Sequence, residues 1–312
     1  MLDLLIIGGA AAGCSAAVYA ARRNLNFKIV TDNIGGEVAL SGQVENWPGI
    51  KSIQGFELAK QFAEHVKAYG VEIDEGWRVE SALKKDGHFV ITAKNAKSEE
   101  KTYEAKSVIA ATGIHPRHLK IPGEDEFSHK GVTYCTVCDG PLFRNKTTAT
   151  IGGGNSGLES AIMMSGIAQK VYLLTIEPNT PERKFGFPTG EDVLIDKVRS
   201  LPNVEIIHEA NTYEIFGEGK VKGLRYRDGK GEHDLAVDGI MVHVGMVPNS
   251  QFLDAEKDKS GQIIVSQKCE TNIPGLFAAG DVTNLPYKQI GIAAGQGITA
   301  ALSAIEYINK LK

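Results

Sequence analysis

Two cysteines three positions apart, Cys135 and Cys138 in Cys135-Thr136-Val137-Cys138-Asp139-Gly140, point most directly to chemistry. A pair at this spacing can close a small disulfide. A thiol in such a pair often has a lowered pKa, which makes it a nucleophile near neutral pH. Asp139, directly after the pair, could carry the protons that thiol–disulfide exchange must move. The chain has four cysteines in all, and Cys14 and Cys269 stand alone. A zinc site of the Cys-x-x-Cys type needs a second ligand pair, and none occurs at ligand spacing, so no metal is expected. Cys14 and Cys269 read as buried small residues. The bland alternative is two cysteines that merely sit close. Asp139 and the nucleotide signatures on either side of the pair argue against it.

The first signature opens the chain. Residues 3–7 are a continuous apolar run, fit for a strand buried on both faces of a parallel sheet. Gly8-Gly9-Ala10-Ala11-Ala12-Gly13 follows, then a small-residue helix to about residue 22 and a strand at 28–31. In such a βαβ unit Gly8 makes the tight turn and Gly13 lets helix pack closely on strand. The helix N-terminus then meets a pyrophosphate. Ala10 replaces the middle glycine of the usual pattern. Asp32, 19 residues past Gly13, stands close to where an acidic side chain would meet a ribose hydroxyl. After the cysteine pair the plan begins again. A strand at 148–151 leads into the intact Gly152-Gly153-Gly154-Asn155-Ser156-Gly157, a helix over 158–165 and a strand at 170–174. Glu177 falls 20 residues past Gly157, so the spacing matches the dinucleotide fingerprint with Gly152, Gly154 and Gly157 all present.

The remaining elements must hold these sites. Residues 33–50 read as loop, punctuated by Gly35, Gly36, Gly42 and Pro48-Gly49, with Trp47 as a packing anchor. Residues 56–69 place apolar side chains on one helical face. The stretch 77–106 alternates and turns at Lys85-Asp86-Gly87, which suggests a small antiparallel sheet laid across the nucleotide domain. Residues 108–113 are another buried strand ending in glycine. Residues 240–248 echo 108–116, strand then Gly-x-x-Pro, so the chain holds two copies of one plan, the second set inside the first. Residues 276–281 form a buried strand ending in Gly280-Asp281, and a helix covers about 292–309. At 312 residues with 35 Gly, the chain has room for two domains with many close backbone approaches to ligands. A net charge of −4 gives no reason to expect nucleic acid or an anionic membrane as partner. No apolar run reaches the ~18 residues of a membrane span. Residues 2–21 lack the basic start of a signal peptide. A cytoplasmic protein is expected, where a Cys-x-x-Cys is more often catalytic than structural.

Two dinucleotide sites with a redox-type cysteine pair between them describe an electron relay. One site would hold FAD, with which a dithiol exchanges two electrons, and the other a nicotinamide nucleotide. The residues 135–140, the turn 152–157, Ala278-Ala279-Gly280-Asp281, Gly35-Gly36, Val44-Glu45-Asn46-Trp47-Pro48-Gly49, Ala111-Thr112-Gly113 and Pro286-Tyr287-Lys288-Gln289-Ile290 together resemble bacterial-type, low-molecular-weight thioredoxin reductase. The last of these also resembles the flavoprotein component of alkyl hydroperoxide reductase. That family carries a further N-terminal disulfide domain, and because this chain begins at the first nucleotide strand the thioredoxin reductase reading is preferred. The resemblance implies two three-layer Rossmann-like α/β domains, the second inserted in the first. Residues 1–116 and 248–312 would bind FAD, and residues 117–247 would bind the pyridine nucleotide and carry the cysteines. It also implies that Cys138 faces the flavin as a charge-transfer thiolate, that Cys135 attacks the disulfide of thioredoxin, and that Asp139 is the acid and base. Contacts to FAD carry over to Gly8, Gly13, Asp32, Gly35, Gly36, Glu37, Asn46, Gly113, Gly280, Asp281, Lys288, Gln289 and Ile290. Glu37 stands where the family often has Gln. A homodimer is implied, as is rotation of the inserted domain about connections near 113–117 and 245–248.

One departure bears on the electron donor. Members that use NADPH carry a His-Arg-Arg type run after the strand that here ends near residue 174, and this chain has Thr175-Ile176-Glu177. A carboxylate there repels a 2′-phosphate and accepts ribose hydroxyls, so NADH is preferred over NADPH. Arg183 and Lys184 are the groups that could still take a phosphate, and a ferredoxin or other non-pyridine donor is a third option. A peroxiredoxin or glutaredoxin-like partner would use the same sites. A non-catalytic flavin redox sensor is the alternative from another class.

Overall fold

A computed structural model of the chain describes residues 1–41 and 43–311, without the side chains of Gln43 and Cys138. Gly42, and the roles expected of the Cys138 thiol, therefore fall outside the described residues. The chain divides into two compact units, Met1–His115 with Val247–Lys312, and Pro116–Met246 between them in sequence.

The first unit opens with β1 (Leu2–Gly9), α1 (Ala11–Arg22) and β2 (Phe27–Ile34). Leu4 and Ile6 of β1 face one apolar cluster, and Leu5 and Ile7 face a second. Both faces are thus covered, which is why the sequence there is an unbroken apolar run. Next come α2 (Gly36–Leu40), β3 (Gln43–Val44), β4 (Ile53–Gln54) and α3 (Gly55–Ala68). The expected loop at 33–50 therefore contains a short helix and a strand. Gly35 enters α2 at φ +93°, and a Cβ on it would stand 2.6 Å from that of Ala59. Trp47 packs edge-on against Phe62 of α3 with ring centroids 5.3 Å apart. β5 (Ile73–Glu75), β6 (Trp77–Lys85), β7 (His88–Asn95) and β8 (Glu100–Ala110) complete the first pass. Asp86 and Gly87, at φ +49° and +85°, form the two-residue hairpin turn that strand twist favours.

β9 (Ile114–Pro116) leads into the second unit. There follow β10 (Val132–Thr133), α4 (Thr136–Asp139), β11 (Thr147–Ile151), α5 (Asn155–Ser165), β12 (Lys170–Leu174) and α6 (Asp192–Ser200). β13 (Val204–Ile207), β14 (Asn211–Glu218), β15 (Lys220–Asp228), β16 (Gly231–Ala236) and β17 (Gly239–Val242) close it. The chain then returns through β18 (Met246–Pro248) to β19 (Leu276–Ala278) and the long α7 (Ile290–Lys310). In the second unit a parallel sheet runs β10-β17-β11-β12-β13, with a separate antiparallel β14-β15-β16. In the first unit the order is β5-β2-β1-β8-β7-β6, with β19 also on β8.

The antiparallel strands expected at 77–106 as a small sheet laid across the nucleotide domain are present, and they continue into the main sheet. β8 is a single strand. Its first half pairs antiparallel with β7, while its second half runs parallel beside β1 and β19. The fold is two Rossmann-like units, with a parallel sheet in the second and a mixed one in the first, and in each the first strand of the unit's βαβ motif has a neighbour on both sides. Ligands of such sheets bind at the carboxyl ends of the strands where the strand order reverses. Among the described residues no helix is long and apolar enough to cross a membrane.

The internal repeat is visible atom by atom. Gly8 at φ +111° would place a Cβ 2.2 Å from the Ala111 carbonyl oxygen, and Gly152 at φ +137° would place one 2.0 Å from that of His243. A Cβ on Gly13 would meet Gly8 O at 1.9 Å, and one on Gly157 would meet Gly152 O at 2.1 Å. The middle position differs in kind. Ala10 and Gly154 have similar extended backbones, φ −104° and −94°, and a Cβ on Gly154 would meet only Thr189 Oγ1, at 3.6 Å. Overpacking of a tight backbone contact costs about 1–3 kcal/mol. Gly13→Ala and Gly157→Ala should each lower stability by about that amount, read from the urea midpoint, while Gly154→Ala should stay within about 0.5 kcal/mol. Equal losses at all three positions would contradict this division.

Candidate functional site

In the first unit several backbone segments converge on the first turn of α1. Ala10, its N-cap, offers no side-chain hydrogen bond, and the first amide with an intrahelical partner is Cys14 N, bonded to Ala10 O at 2.9 Å. The amides before it are left for another acceptor, the arrangement that binds phosphate. A Cβ on Gly36 would stand 3.4 Å from Ala10 Cβ, and one on Gly280 would stand 3.1 Å from Ala12 Cβ. Thus Gly35-Gly36 and Gly280-Asp281 are brought to the turn that begins at Gly8. Gln296 of α7 holds the second of these, its Oε1 accepting from Gly280 N at 2.6 Å. Asn46 Nδ2 donates to Gln289 Oε1 at 3.0 Å, which joins two further expected residues, and Ile290 starts α7 beside them.

Two carboxyls face this cradle. Burial raises the pKa of Asp281, against the opposing pull of Lys288. Burial also raises that of Glu37, helped by the charge of Asp281. Neither carboxyl accepts a hydrogen bond among the described residues, which leaves acceptors for the hydroxyls of a ribose or ribityl chain. The combination of free helix amides and unmet carboxyls fits FAD. Lys288 is held by hydrogen bonds of its own. Its ammonium donates to Thr283 O at 2.6 Å, Leu285 O at 2.7 Å and Gln262 Oε1 at 3.2 Å, which accounts for its three donors. It therefore shapes the loop after Asp281. Asp32 is exposed at the end of β2, its carbonyl accepting from Gly76 N at 3.1 Å. Gly113 lies at φ +65°, and its carbonyl accepts from Asn249 N at 3.0 Å. Asn249, which the sequence did not single out, also donates from Nδ2 to Thr112 O at 2.8 Å and meets His115 Nδ1 at 2.6 Å. It clasps the two passes of the chain where they leave and re-enter the unit.

In the second unit Cys135 is disulfide-bonded, whereas Cys14 and Cys269 are free and buried. Burial pushes the Cys14 thiol up to about 12 and that of Cys269 up to about 11, far from a usable thiolate. Each residue around Cys135 is fixed to a different neighbour. Thr133 Oγ1 accepts from Cys135 N at 3.1 Å and donates to Asp139 Oδ2 at 2.5 Å. The Asp139 carboxyl is thereby tied to the backbone of the redox turn. Tyr134 donates to Glu124 Oε1 at 2.7 Å, and Glu124 is itself held by the amides of Leu119 and Lys120. On the inner side Thr136 Oγ1 meets Ser160 Oγ at 2.6 Å and His243 Nε2 at 2.8 Å. Thr133, Ser160 and His243 were missed in the sequence. An acceptor hydroxyl two residues before Cys135 was a readable turn signal. The echo of 108–116 in 240–248 already set His243 opposite Ala111.

The second glycine turn leads into α5, whose N-cap Gly154 offers no side chain. The strap from 175 to 192 lies against it. Thr175 Oγ1 donates to Gly186 O at 2.7 Å, and Asn155 Nδ2 donates to Glu191 Oε1 at 2.9 Å. Glu177 Oε2 accepts from Arg183 Nε at 2.7 Å and Nη2 at 2.5 Å. Lys184 reaches Asp192 Oδ1 at 3.0 Å. Arg183, the reserve phosphate ligand of the sequence reading, is thus paired with the carboxylate it would have to replace. Thr31 and Thr175 hold matching places, each beside the second glycine of its turn. Glu177 therefore stands one residue further along than Asp32.

Burial depresses the His243 pKa to about 4, so the folded chain holds this ring neutral. Between about pH 6.5 and pH 4 the unfolded chain binds a proton that the folded chain does not. The stability contributed is full above the unfolded value and is lost as pH falls through the folded one. A shift of this size corresponds to about 3 kcal/mol. Urea unfolding of the wild type should show that loss over this window, and His243→Gln should flatten it. An identical pH slope in both proteins would contradict the assignment.

A family model described as pyridine nucleotide-disulphide oxidoreductase matches residues 2–297. An alkyl hydroperoxide reductase component from Escherichia coli strain K12 is 42% identical over 319 residues, covering 99% of this chain and 59% of that protein. A protein named NADH dehydrogenase from Ferdinandcohnia aciditolerans is 43% identical over 310 residues, covering 98% of this chain and 57% of that protein. The chain thus spans somewhat over half the length of these relatives. The solved structure of thioredoxin reductase from Lactococcus lactis, in its FR conformation, matches with a TM-score of 0.82 at 31% identity, covering 99% of this chain and 100% of that one. The fold is accordingly that of thioredoxin reductase, and the chain belongs to the pyridine nucleotide-disulphide oxidoreductase family.

Proposed function

We propose that this chain is an FAD-dependent disulfide reductase that passes electrons from a nicotinamide nucleotide to a thioredoxin-like protein through Cys135 and Cys138. One observation carries the reading. The Cys135 disulfide, with Asp139 tied to it through Thr133, lies in the same unit as the intact turn at Gly152, Gly154 and Gly157. The cradle of the first unit is assigned to FAD through Gly8, Gly13, Gly36, Glu37, Asn46 and Asp281. Bound there, FAD supplies the two-electron link between nicotinamide and disulfide. On the protein side, reduced Cys135 attacks a sulfur of the partner's disulfide and the partner's second sulfur leaves as a thiol. Cys138 then attacks Cys135, which restores the chain's own disulfide and frees the partner as a dithiol. Asp139, fixed by Thr133, gives the proton to the leaving sulfur and later recovers one.

Glu177 favours NADH, because a carboxylate accepts the ribose hydroxyls and repels a 2′-phosphate. The similarity to a protein named NADH dehydrogenase supports the same choice. A second reading rests on the 42% identity to the alkyl hydroperoxide reductase component: the partner is then a peroxiredoxin-type protein served by the same cysteines. The resemblance to thioredoxin reductase also implies a homodimer. Turnover of a dithiol suits a reducing compartment such as the cytoplasm.

Steady-state assays with NADH and NADPH, and with thioredoxin or a peroxiredoxin as acceptor, test the proposal. We expect NADH-driven reduction of thioredoxin, lost in Cys135→Ser with flavin still bound. A charge-assisted hydrogen bond contributes about 1.5–3 kcal/mol, so Glu177→Ala should lower kcat/KM for NADH by about tenfold to a hundredfold. Reduction of the peroxiredoxin alone would select the second reading. Full activity in Cys135→Ser would overturn both.

A further inference from the structure

The internal repeat isolates one residue that the relay of flavin, nicotinamide and cysteines does not use. At the end of the strand beside each glycine turn, the first unit has Ala111 and the second has His243, each carbonyl facing the turn's first glycine. In the first unit that position ends in a methyl group. In the second it carries an imidazole, and the ring reaches the redox turn. His243 N–H donates to Ile151 O at 2.8 Å, which fixes the residue's backbone beside β11. Its Nε2 lies 2.8 Å from Thr136 Oγ1, the residue next to Cys135. Thr136 Oγ1 in turn lies 2.6 Å from Ser160 Oγ of α5, which is 3.5 Å from Thr150 Oγ1 of β11. Thr136, Ser160 and Thr150 are all buried, at 5%, 3% and 0% exposure. This is a chain of hydroxyls closed by one ring nitrogen, in a place where water cannot replace a lost partner.

We propose that His243 is a positioning residue for the redox turn, holding Thr136, and through it the residue that follows Cys135, in the geometry that favours the closed disulfide. The proposal rests on the disulfide-reductase reading above and adds what sets the equilibrium of that disulfide. A dithiol gains conformational freedom when the turn around it loosens, whereas a closed disulfide gains little. Loss of the anchor therefore favours the reduced form. The exchange itself is balanced: two electrons and two protons pass from an added dithiol to the Cys135 disulfide, which opens to two thiols as the reagent closes to its own disulfide.

The test is equilibration of the full chain, FAD bound, with graded ratios of reduced to oxidised dithiothreitol, the protein thiols being counted after acid quench and alkylation. In His243→Ala the equilibrium should lie about three- to tenfold further toward the dithiol, tenfold being about 30 mV for a two-electron couple. Thr136→Val should move it the same way, and the double variant should move it no further than the larger single change. His243→Gln presents an amide nitrogen where Nε2 stands and should return the equilibrium to within about twofold of wild type. Flavin content and circular dichroism identify variants that are properly folded. An unchanged equilibrium in folded His243→Ala, or independent addition of the two single effects, would overturn the inference while leaving the reductase reading intact. A wild-type disulfide that does not exchange with dithiothreitol at all would overturn both.

Discussion

At Gly8, Gly13, Gly152 and Gly157 a Cβ atom would lie within about 2.2 Å of a backbone oxygen of the adjoining strand or turn. These contacts bring a helix N-terminus directly onto the carboxyl end of a buried parallel strand, twice over. Both binding turns exist only because of that approach. With a side chain at Gly13 or Gly157, α1 or α5 would be pushed off its strand, and the free amides of its first turn would no longer be aimed at a ligand. The middle position differs, since among the described residues a Cβ on Gly154 would meet only Thr189 Oγ1, at 3.6 Å. That is why alanine is accommodated at 10 while the outer glycines have no such latitude.

The two copies of the plan have then been fitted to different tasks. In the first, the turn is surrounded by Gly35-Gly36, by Gly280-Asp281 and by α7, with Gln296 and Lys288 holding the Gly-Asp loop in place. Half-buried carboxyls at 37 and 281 remain as acceptors, raised in pKa by burial. In the second, the strap after β12 lies on the turn, and the redox turn grows from the segment leading to α4. Threonine hydroxyls organise this region: Thr133 holds Asp139, Thr136 joins Ser160 and His243, and Thr175 holds Gly186. A small branched hydroxyl can be buried and still serve as both donor and acceptor, which suits a site that must be dry yet move protons.

The sequence displayed the repeated strands, the glycines and the cysteine pair with Asp139, because periodicity, turn residues and spacing are local properties. It also placed α3 and α7 within about two residues of where they begin and end. It did not display α2, since five residues entered from two glycines look like loop. Nor did it show that residues 100–110 are one strand, because pairing with β7 and then with β19 is a property of the sheet and not of the strand. The hydrogen bonds of Gln296, Asn249, Thr133 and His243 join residues brought together only by folding, apart from the short-range Thr133 turn. His243 was nonetheless within reach, since setting 240–248 beside 108–116 puts a histidine opposite an alanine. Lys288 was expected among the cofactor ligands, and what folding adds is that its ammonium binds the carbonyls of Thr283 and Leu285 and the side chain of Gln262.

A flavin cradle, a nicotinamide turn and a cysteine pair in one chain make a relay only if electrons run through all three. Anaerobic titration of the yellow protein with NADH, following flavin absorbance and free thiols together, decides this. Uptake of about two hydride equivalents per chain is expected, one for the flavin and one for the disulfide, with thiols appearing as the titration proceeds. Bleaching complete at one equivalent with no thiol released would contradict the relay, as would a flavin that dithionite reduces and NADH and NADPH do not.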